Sequence, residues 1–289
     1  MTFYPLEKML PSEIEAHLEA NPIVILPFGT VEWHSHHLPV GLDGLVAEGI
    51  CRRAADLVDA VLAPVSYWAV GGVPYPYTLN LPPEVIEPLL VTVLEQFGAM
   101  GFKVIVPFTG HFGLEQTLIL KRAALAVMAR SPVIILPVTE YDLVTDIYKG
   151  DHAAVGETSL LWALYPELVQ LDAIPAESPL DGIIGAEPRG AASLELGAEI
   201  LQAIASRLAE VSRRLLYETS PVQRADFIEA IRAGVKVLDK TSQTRQTQPK
   251  QQVPSISTPA YLAYCQAIYA GDYRLAKSQA EKKYADLAE

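Results

Sequence analysis

Twelve residues, Glu32-Trp33-His34-Ser35-His36-His37-Leu38-Pro39-Val40-Gly41-Leu42-Asp43, hold three of the chain's six histidines together with a glutamate and an aspartate. Imidazole nitrogens and carboxylate oxygens gathered in one short loop are the donor set of a transition-metal site. The apolar run Ile23–Gly29 comes just before, so the loop opens from the end of a buried strand, where α/β proteins place their sites. One loop histidine alone would be better read as an ordinary surface residue. Five potential ligands directly after a buried strand favour the metal. Two later loops carry the same kinds of residue: Thr109-Gly110-His111-Phe112-Gly113, and Asp151-His152-Ala153-Ala154-Val155-Gly156-Glu157-Thr158-Ser159.

Two ions held close together need imidazoles and at least one carboxylate able to bridge them. Glu32 and His34, at i and i+2, point the same way if the chain is still extended there, and Asp43 can fold back as the bridge. His111 could complete the first ion, with His152 or Glu157 serving the second ion or the chemistry. Blander readings stand beside these. His111 could simply bond to backbone, and Glu157 could only be favouring the positive end of a helix dipole. His36 and His37 cannot both face the ions, so at least one is expected to orient a ligand carboxylate.

The elements that must position these loops alternate between strand and helix. Apolar runs at Ile23–Phe28, Ala60–Val65, Lys103–Phe108 and Pro132–Val138 read as buried strands. Helical periodicity covers about Pro11–Ala20, with Ser12 and Glu15 at capping-box spacing. It recurs over Leu45–Val58, Pro83–Met100, Leu114–Arg130, Thr158–Pro166 and Ala191–Leu216. The expected fold is α/β, a mainly parallel sheet with helices on both faces. Tyr67–Pro83, rich in Gly, Pro and aromatics, is a loop long enough to shape a pocket. Past Pro221 the character changes: Phe227–Leu238 reads as a helix, Thr241–Thr258 as a polar linker, and Tyr261–Glu289 as a small helical appendix. The division expected is a domain over 1–220 that carries the metal site and a C-terminal extension over 221–289.

Half of the 289 residues are apolar and 19% are charged, which excludes global disorder. A net charge of −12 argues against nucleic-acid or anionic-membrane partners. No apolar run is long enough for a membrane span. Met1–Lys8 has neither the basic nor the apolar part of a signal peptide. Cys51 and Cys265 lie far apart without CxxC spacing, as free thiols in a reducing compartment do. A cytoplasmic protein acting on a small molecule is expected.

The stretch Gly29-Thr30-Val31-Glu32-Trp33-His34 through Asp43 resembles the first signature of the creatininase family of metal-dependent amidohydrolases. Thr109–Gly113 resembles its second, and His152–Ser159, continuing to Val169, its third. Pro76-Tyr77-Thr78-Leu79 looks like a worn form of the family's Pro-Gly-Thr element, and Gly185–Gly197 is similar to its late helix start. The likeness runs in order over about residues 5 to 216. It implies a dinuclear site with two divalent transition-metal ions, zinc with zinc, manganese or iron. Glu32 and His111 would hold one ion, His34 the other, and Asp43 would bridge. A metal-bound hydroxide would attack the carbonyl of an amide, cyclic amide or formamide, with His152 handling protons. The family also implies closed homo-oligomers, hexamers among them.

The departures from the pattern carry equal weight. Creatinine-cleaving members place a glutamate on the second ion where this chain has Gly113, which makes Glu157 the first substitute ligand. Their Trp-Asp pair before the third signature is replaced by Tyr148-Lys149-Gly150-Asp151, and Thr109 and Leu114 replace two asparagines. Creatinine is therefore not the expected substrate. The expected pocket lies beside Phe112 and Trp68, with His37 in support of the ligands. Other readings kept open are hydrolysis of a cyclic diketone-like sugar at a C–C bond, a deformylase or peptidase of cofactor biosynthesis, and a metal-binding scaffold without activity.

Overall fold

A computed structural model of the chain describes residues 4–176, 180–247 and 258–287. At its centre β2 (Ile23–Phe28) and β4 (Val104–Thr109) run parallel, paired from Ile23–Val104 to Phe28–Thr109. Both are buried along their whole length, which is why they read as unbroken apolar runs rather than alternations. β3 (Val61–Leu62) pairs with β2 on its far side, and β1 (Tyr4–Pro5), which sequence reasoning did not mark, pairs with β3. On the other flank β5 (Ile134–Ile135) and β6 (Val138–Thr139) both pair with β4. All pairings are parallel.

The run Pro132–Val138 was expected as one strand and is two, broken at Leu136-Pro137. Leu136 N–H bonds to Ile105 O, and Glu140 N–H resumes the ladder on Thr109 O. Pro107 lies between those two acceptors, so its missing donor faces the break. Pro27 repeats the device where the chain after β3 pulls away: Ala63 N–H reaches Ile25 O and Ser66 N–H reaches Pro27 O. Two prolines thus sit in central strands without leaving a ladder partner unmet.

Right-handed crossovers fix the layers. The path β2–α2 (Leu42–Val58)–β3 moves outward and β3–α3 (Pro83–Met100)–β4 returns past β2, so α2 and α3 lie on opposite faces. α4 (Leu114–Met128), between β4 and β5, joins α3. α5 (Val155–Leu164) and α6 (Leu194–Tyr217) pack with α2. α7 (Pro221–Thr247) lies along α4, and α8 (Pro259–Ala270) and α9 (Tyr273–Asp286) pack with it. Phe227, Ile231, Tyr261 and Tyr264 share one continuous buried cluster with β2 and β4.

Three expectations change. The linker expected over Thr241–Thr258 is helix as far as Thr247, and 248–257 lie outside the described residues. Thr241 and Thr244 turn their hydroxyls back onto the carbonyls of Val237 and Lys240, and Thr241 is buried, so packing overrides a polar composition. The cap of α1 (Pro11–Ala20) lies earlier than Ser12: Pro11 starts the helix and Glu13 Oε2 accepts from Leu10 N–H at 2.7 Å. α2 begins at Leu42, which puts Asp43 inside its first turn rather than before it.

Candidate metal centre

The N-terminus of α2 is pressed onto the mouths of β2 and β4. A methyl group at Gly29 would overlap the backbone of Gly44, and one at Gly110 would overlap the carbonyl of Asp43. Only residues without a Cβ allow this approach, and it sets Asp43 between the two loops that leave those strands. The loop after β2 closes through Glu32 N–H on Val40 O at 2.8 Å, bringing Glu32 and His34 to the same point. His111 arrives from β4. Glu157 lies in the first turn of α5, where Asp151 accepts from the N–H groups of Gly156 and Glu157 at 2.7 and 3.1 Å. That capping and the Ala153 N–H on Glu157 Oε2 at 2.6 Å aim the Glu157 carboxyl inward.

Five side chains converge. His111 Nδ1 is 2.9 Å from Glu32 Oε2 and 3.2 Å from Asp43 Oδ2. His34 Nε2 is 3.0 Å from Asp43 Oδ1 and 3.6 Å from Glu157 Oε2. The donor atoms of Glu32, His34 and His152 lie within 4.8 Å of one another, and so do those of two groups that share Asp43: Glu32/Asp43/His111 and His34/Asp43/Glu157. Asp43 belongs to both, one oxygen to each. All five are buried, yet Glu32 Oε2, His34 Nε2 and Asp43 Oδ2 are in no hydrogen-bonding geometry with a described protein group. Buried polar atoms that face one another without bonding are costly, and a cation between them would satisfy all three. His34 Nδ1 donates to Glu32 O at 3.0 Å, which leaves Nε2 with its lone pair toward the carboxylates. The donor set fits divalent transition metals.

Without a cation the cluster pairs protons against carboxylates. Burial alone would lower the His111 imidazole, but the Asp43 and Glu32 carboxylates beside it override that and raise it to about 10. His34 is raised in the same way by Asp43 against its burial. Burial pushes Asp43 and Glu32 upward, and the imidazoles beside them bring both below the usual carboxylate range. Glu157 has no such relief: burial, then Asp43 and Asp151, hold it well above that range.

The other expected residues are placed as follows. His152 stands over His34, donates from Nε2 to Trp33 O at 3.0 Å, and has Nδ1 3.9 Å from Glu32 Oε1. Burial and then His34 hold it down to about 4. His37 is buried and pairs with Thr158 Oγ1 at 3.0 Å, behind α5's first turn, while His36 is exposed. Phe112 packs edge-on against Tyr141, 5.2 Å between ring centres. Trp68 is 42% exposed on the loop after β3, and no contact described here joins it to the five. Trp33, between Glu32 and His34 in the chain, gives its carbonyl to His152 and stacks its ring on Tyr75 at 3.7 Å. Sequence reasoning passed over Asp151 as a helix cap, although an aspartate before a helix start is a capping signal. It also passed over Glu140, which follows β6, is wholly buried, and is raised well above the carboxylate range by burial, Asp43 and Asp151. Nothing in the spacing of Glu140 marks it.

The family model described as creatinine amidohydrolase matches residues 7–212. The chain belongs to the creatininase family. Its relatives include the creatinine amidohydrolase of Pseudomonas putida, 25% identical over 243 residues, covering 70% of this chain and 93% of that one. The 3-dehydro-scyllo-inosose hydrolase of Thermotoga maritima is 26% identical over 180 residues, covering 56% and 57%. Among solved structures, a manganese creatininase superposes with a TM-score of 0.63 at 22% identity, over 74% of this chain and 98% of that one. A mutant creatininase of the Zn-Zn type gives 0.56 at 24% identity, again over 74% and 98%. These two likenesses show the creatininase fold. Membership makes the chain a hydrolase of the amidohydrolase kind, and α7–α9 lie beyond the matched segment. Among the described residues no helix is long and apolar enough to cross a membrane.

Proposed function

We propose that this creatininase-family member hydrolyses a C–N bond beside a carbonyl, in an amide, cyclic amide or formamide of a small polar molecule, with two divalent ions on Glu32, His34, Asp43, His111 and Glu157. The observation that carries this reading is Asp43, whose two oxygens face two separate donor groups. Ions held there polarise a carbonyl and bring a water's pKa toward neutrality. Zinc is the first choice and manganese or iron the others; a solved relative in manganese form and another of Zn-Zn type support this.

The chain's own groups do the rest. Asp43 holds the two donor groups in register, since its helix end cannot shift against Gly29 and Gly110. His152, neutral and with Nε2 tied to Trp33 O, keeps Nδ1 free to take a proton and return it to a leaving nitrogen. Its side chain is 14% exposed, the most of any imidazole or carboxylate in the two groups and His152 taken together. Apolar faces for a substrate are proposed on Phe112, which follows His111 in the chain, and on the stacked rings of Trp33 and Tyr75.

Metal analysis of purified protein is expected to return about two transition-metal ions per chain, and Asp43→Ala to lose both ions and turnover while remaining folded. A folded wild type that takes up no zinc, manganese or iron on reconstitution overturns the reading. A second reading, hydrolysis of a cyclic sugar ketone at a C–C bond, draws on the Thermotoga maritima relative. Parallel assays on lactams, formamides and cyclic sugar diketones separate the two. The same proposal includes a homo-oligomer, with a hexamer as one form, which light scattering tests.

A further inference from the structure

Three consecutive side chains in the first turn of α4 leave it in three directions. Glu115 Oε1 accepts from Ser242 Oγ of α7 at 2.6 Å, and Gln246 Nε2 donates to the same Ser242 Oγ at 3.3 Å. Gln116, wholly buried, accepts the backbone N–H of Val70 on Oε1 at 3.0 Å. Thr117 turns its hydroxyl back onto Gly113 O at 3.0 Å and Phe112 O at 3.3 Å.

Two of these bonds fix backbone that leads to ligands. Val70 opens the path Val70-Gly71-Gly72-Val73, whose two glycines hold positive φ of 86° and 125°. At its far end Val73 N–H donates to Glu32 Oε1 at 2.5 Å, and a side chain at Gly72 would run into Thr78 and Glu32. Gln116 therefore fixes the start of the segment that grips Glu32. Thr117 fixes the two residues that follow His111. Glu32 and His111 belong to the same donor group, and Glu32 also reaches His34 and His152 through its carboxylate. Glu157, in the other group, is aimed from α5 by Asp151 and Ala153.

We propose that the first turn of α4 is a positioning element for one of the two ions only, that of Glu32, Asp43 and His111. Gln116 is its main positioning residue, and α7, outside the family-matched segment, braces it through Ser242. The inference rests on the two-ion reading above. Groups that orient metal ligands typically contribute about 10- to 100-fold in metal affinity.

The test is a zinc competition titration of metal-free protein, with thermal unfolding measured alongside. Gln116→Leu removes the acceptor for Val70, and Thr117→Val removes only a hydroxyl should the first variant fail to fold. Each is expected to weaken one ion about tenfold or more and to leave the other at wild-type affinity. Combined with His111→Ala, neither is expected to cost a further ion; combined with Glu157→Ala, both ions are weakened. Wild type with two ions, and variants that bind both as tightly or weaken both equally, would overturn the positioning role alone. Wild type that binds no zinc would instead remove the two-ion reading beneath it.

Discussion

The imidazoles of His34 and His152 lie over one another, 4.4 Å between ring centres and tilted by 31°, with their protons fixed in opposite senses. His34 donates from Nδ1 to Glu32 O and turns Nε2 to the carboxylates; His152 donates from Nε2 to Trp33 O and keeps Nδ1 free. On the proposed function, the two stacked histidines are divided between holding a cation and handling a proton.

That division predicts a split phenotype. His152→Gln is expected to lower kcat by roughly 10²- to 10⁴-fold, the usual contribution of a general acid–base, with metal content unchanged. His34→Gln is expected to lose metal and turnover together. Elemental analysis beside steady-state kinetics reads both, and a His152 variant depleted of metal would contradict the assignment.

Metal uptake is expected to release protons. At pH 7 the metal-free cluster keeps a proton on His111, raised to about 10 against its burial by Asp43 and Glu32, and His34 and Glu157 are both shifted toward their protonated forms. A cation must displace such protons, so apparent affinity falls as pH falls. Calorimetric titration with zinc in two buffers of different ionisation heat is expected to show more than one proton leaving per chain. Equal heats in the two buffers would speak against it.

His37 gives the metal-free fold an acid limit. Burial, and then the charge of His34, lower it from 6.5 to about 4. Between those values the unfolded chain binds a proton that the folded chain refuses, so stability is full above about 6.5 and declines as pH falls toward 4. Denaturant midpoints of the metal-free protein are expected to drop across that window. His37→Gln, which can still bond to Thr158, is expected to flatten the slope.

Asp142 ties three elements together. It pairs with buried Lys121 of α4 at 3.0 Å, accepts Thr139 N–H of β6 at 3.2 Å, and takes a contact from Cys265 Sγ of α8 at 3.6 Å. Removing one partner of such a buried pair costs roughly 3–5 kcal/mol because the other charge is stranded. Asp142→Ala is therefore expected to lose about that much in urea unfolding, and Lys121→Met/Asp142→Leu considerably less. Equal losses for the single and double replacements would mean the pair does not act as a unit.

The sheet and the ligand loops were legible because their signals are local. β2 and β4 are fully buried, so their sequences are plain apolar runs, and Glu32, His34 and Asp43 follow within fifteen residues of Phe28. What sequence could not show depends on partners far along the chain. The Trp33 carbonyl meets His152, a residue 119 positions away. Glu140 looks like any strand-end glutamate until the fold surrounds it with Asp43 and Asp151. Thr241–Thr247 has a loop composition and becomes helix because α4 offers it a surface and Glu115 a hydrogen bond. In each case the deciding energy is tertiary.

Asp43 meets both donor groups from a helix end seated on bare backbone at the mouths of the two longest strands. The distance between the groups is consequently gauged where main chain lies on main chain and no side chain can be exchanged to alter it. Tyr75 and His152 sit away from that seat, on the stretches following β3 and preceding α5. Those stretches can lengthen, shorten or change lettering while the gauge stays put. A scaffold divided in this way keeps one kind of bond-breaking and changes what is brought to it.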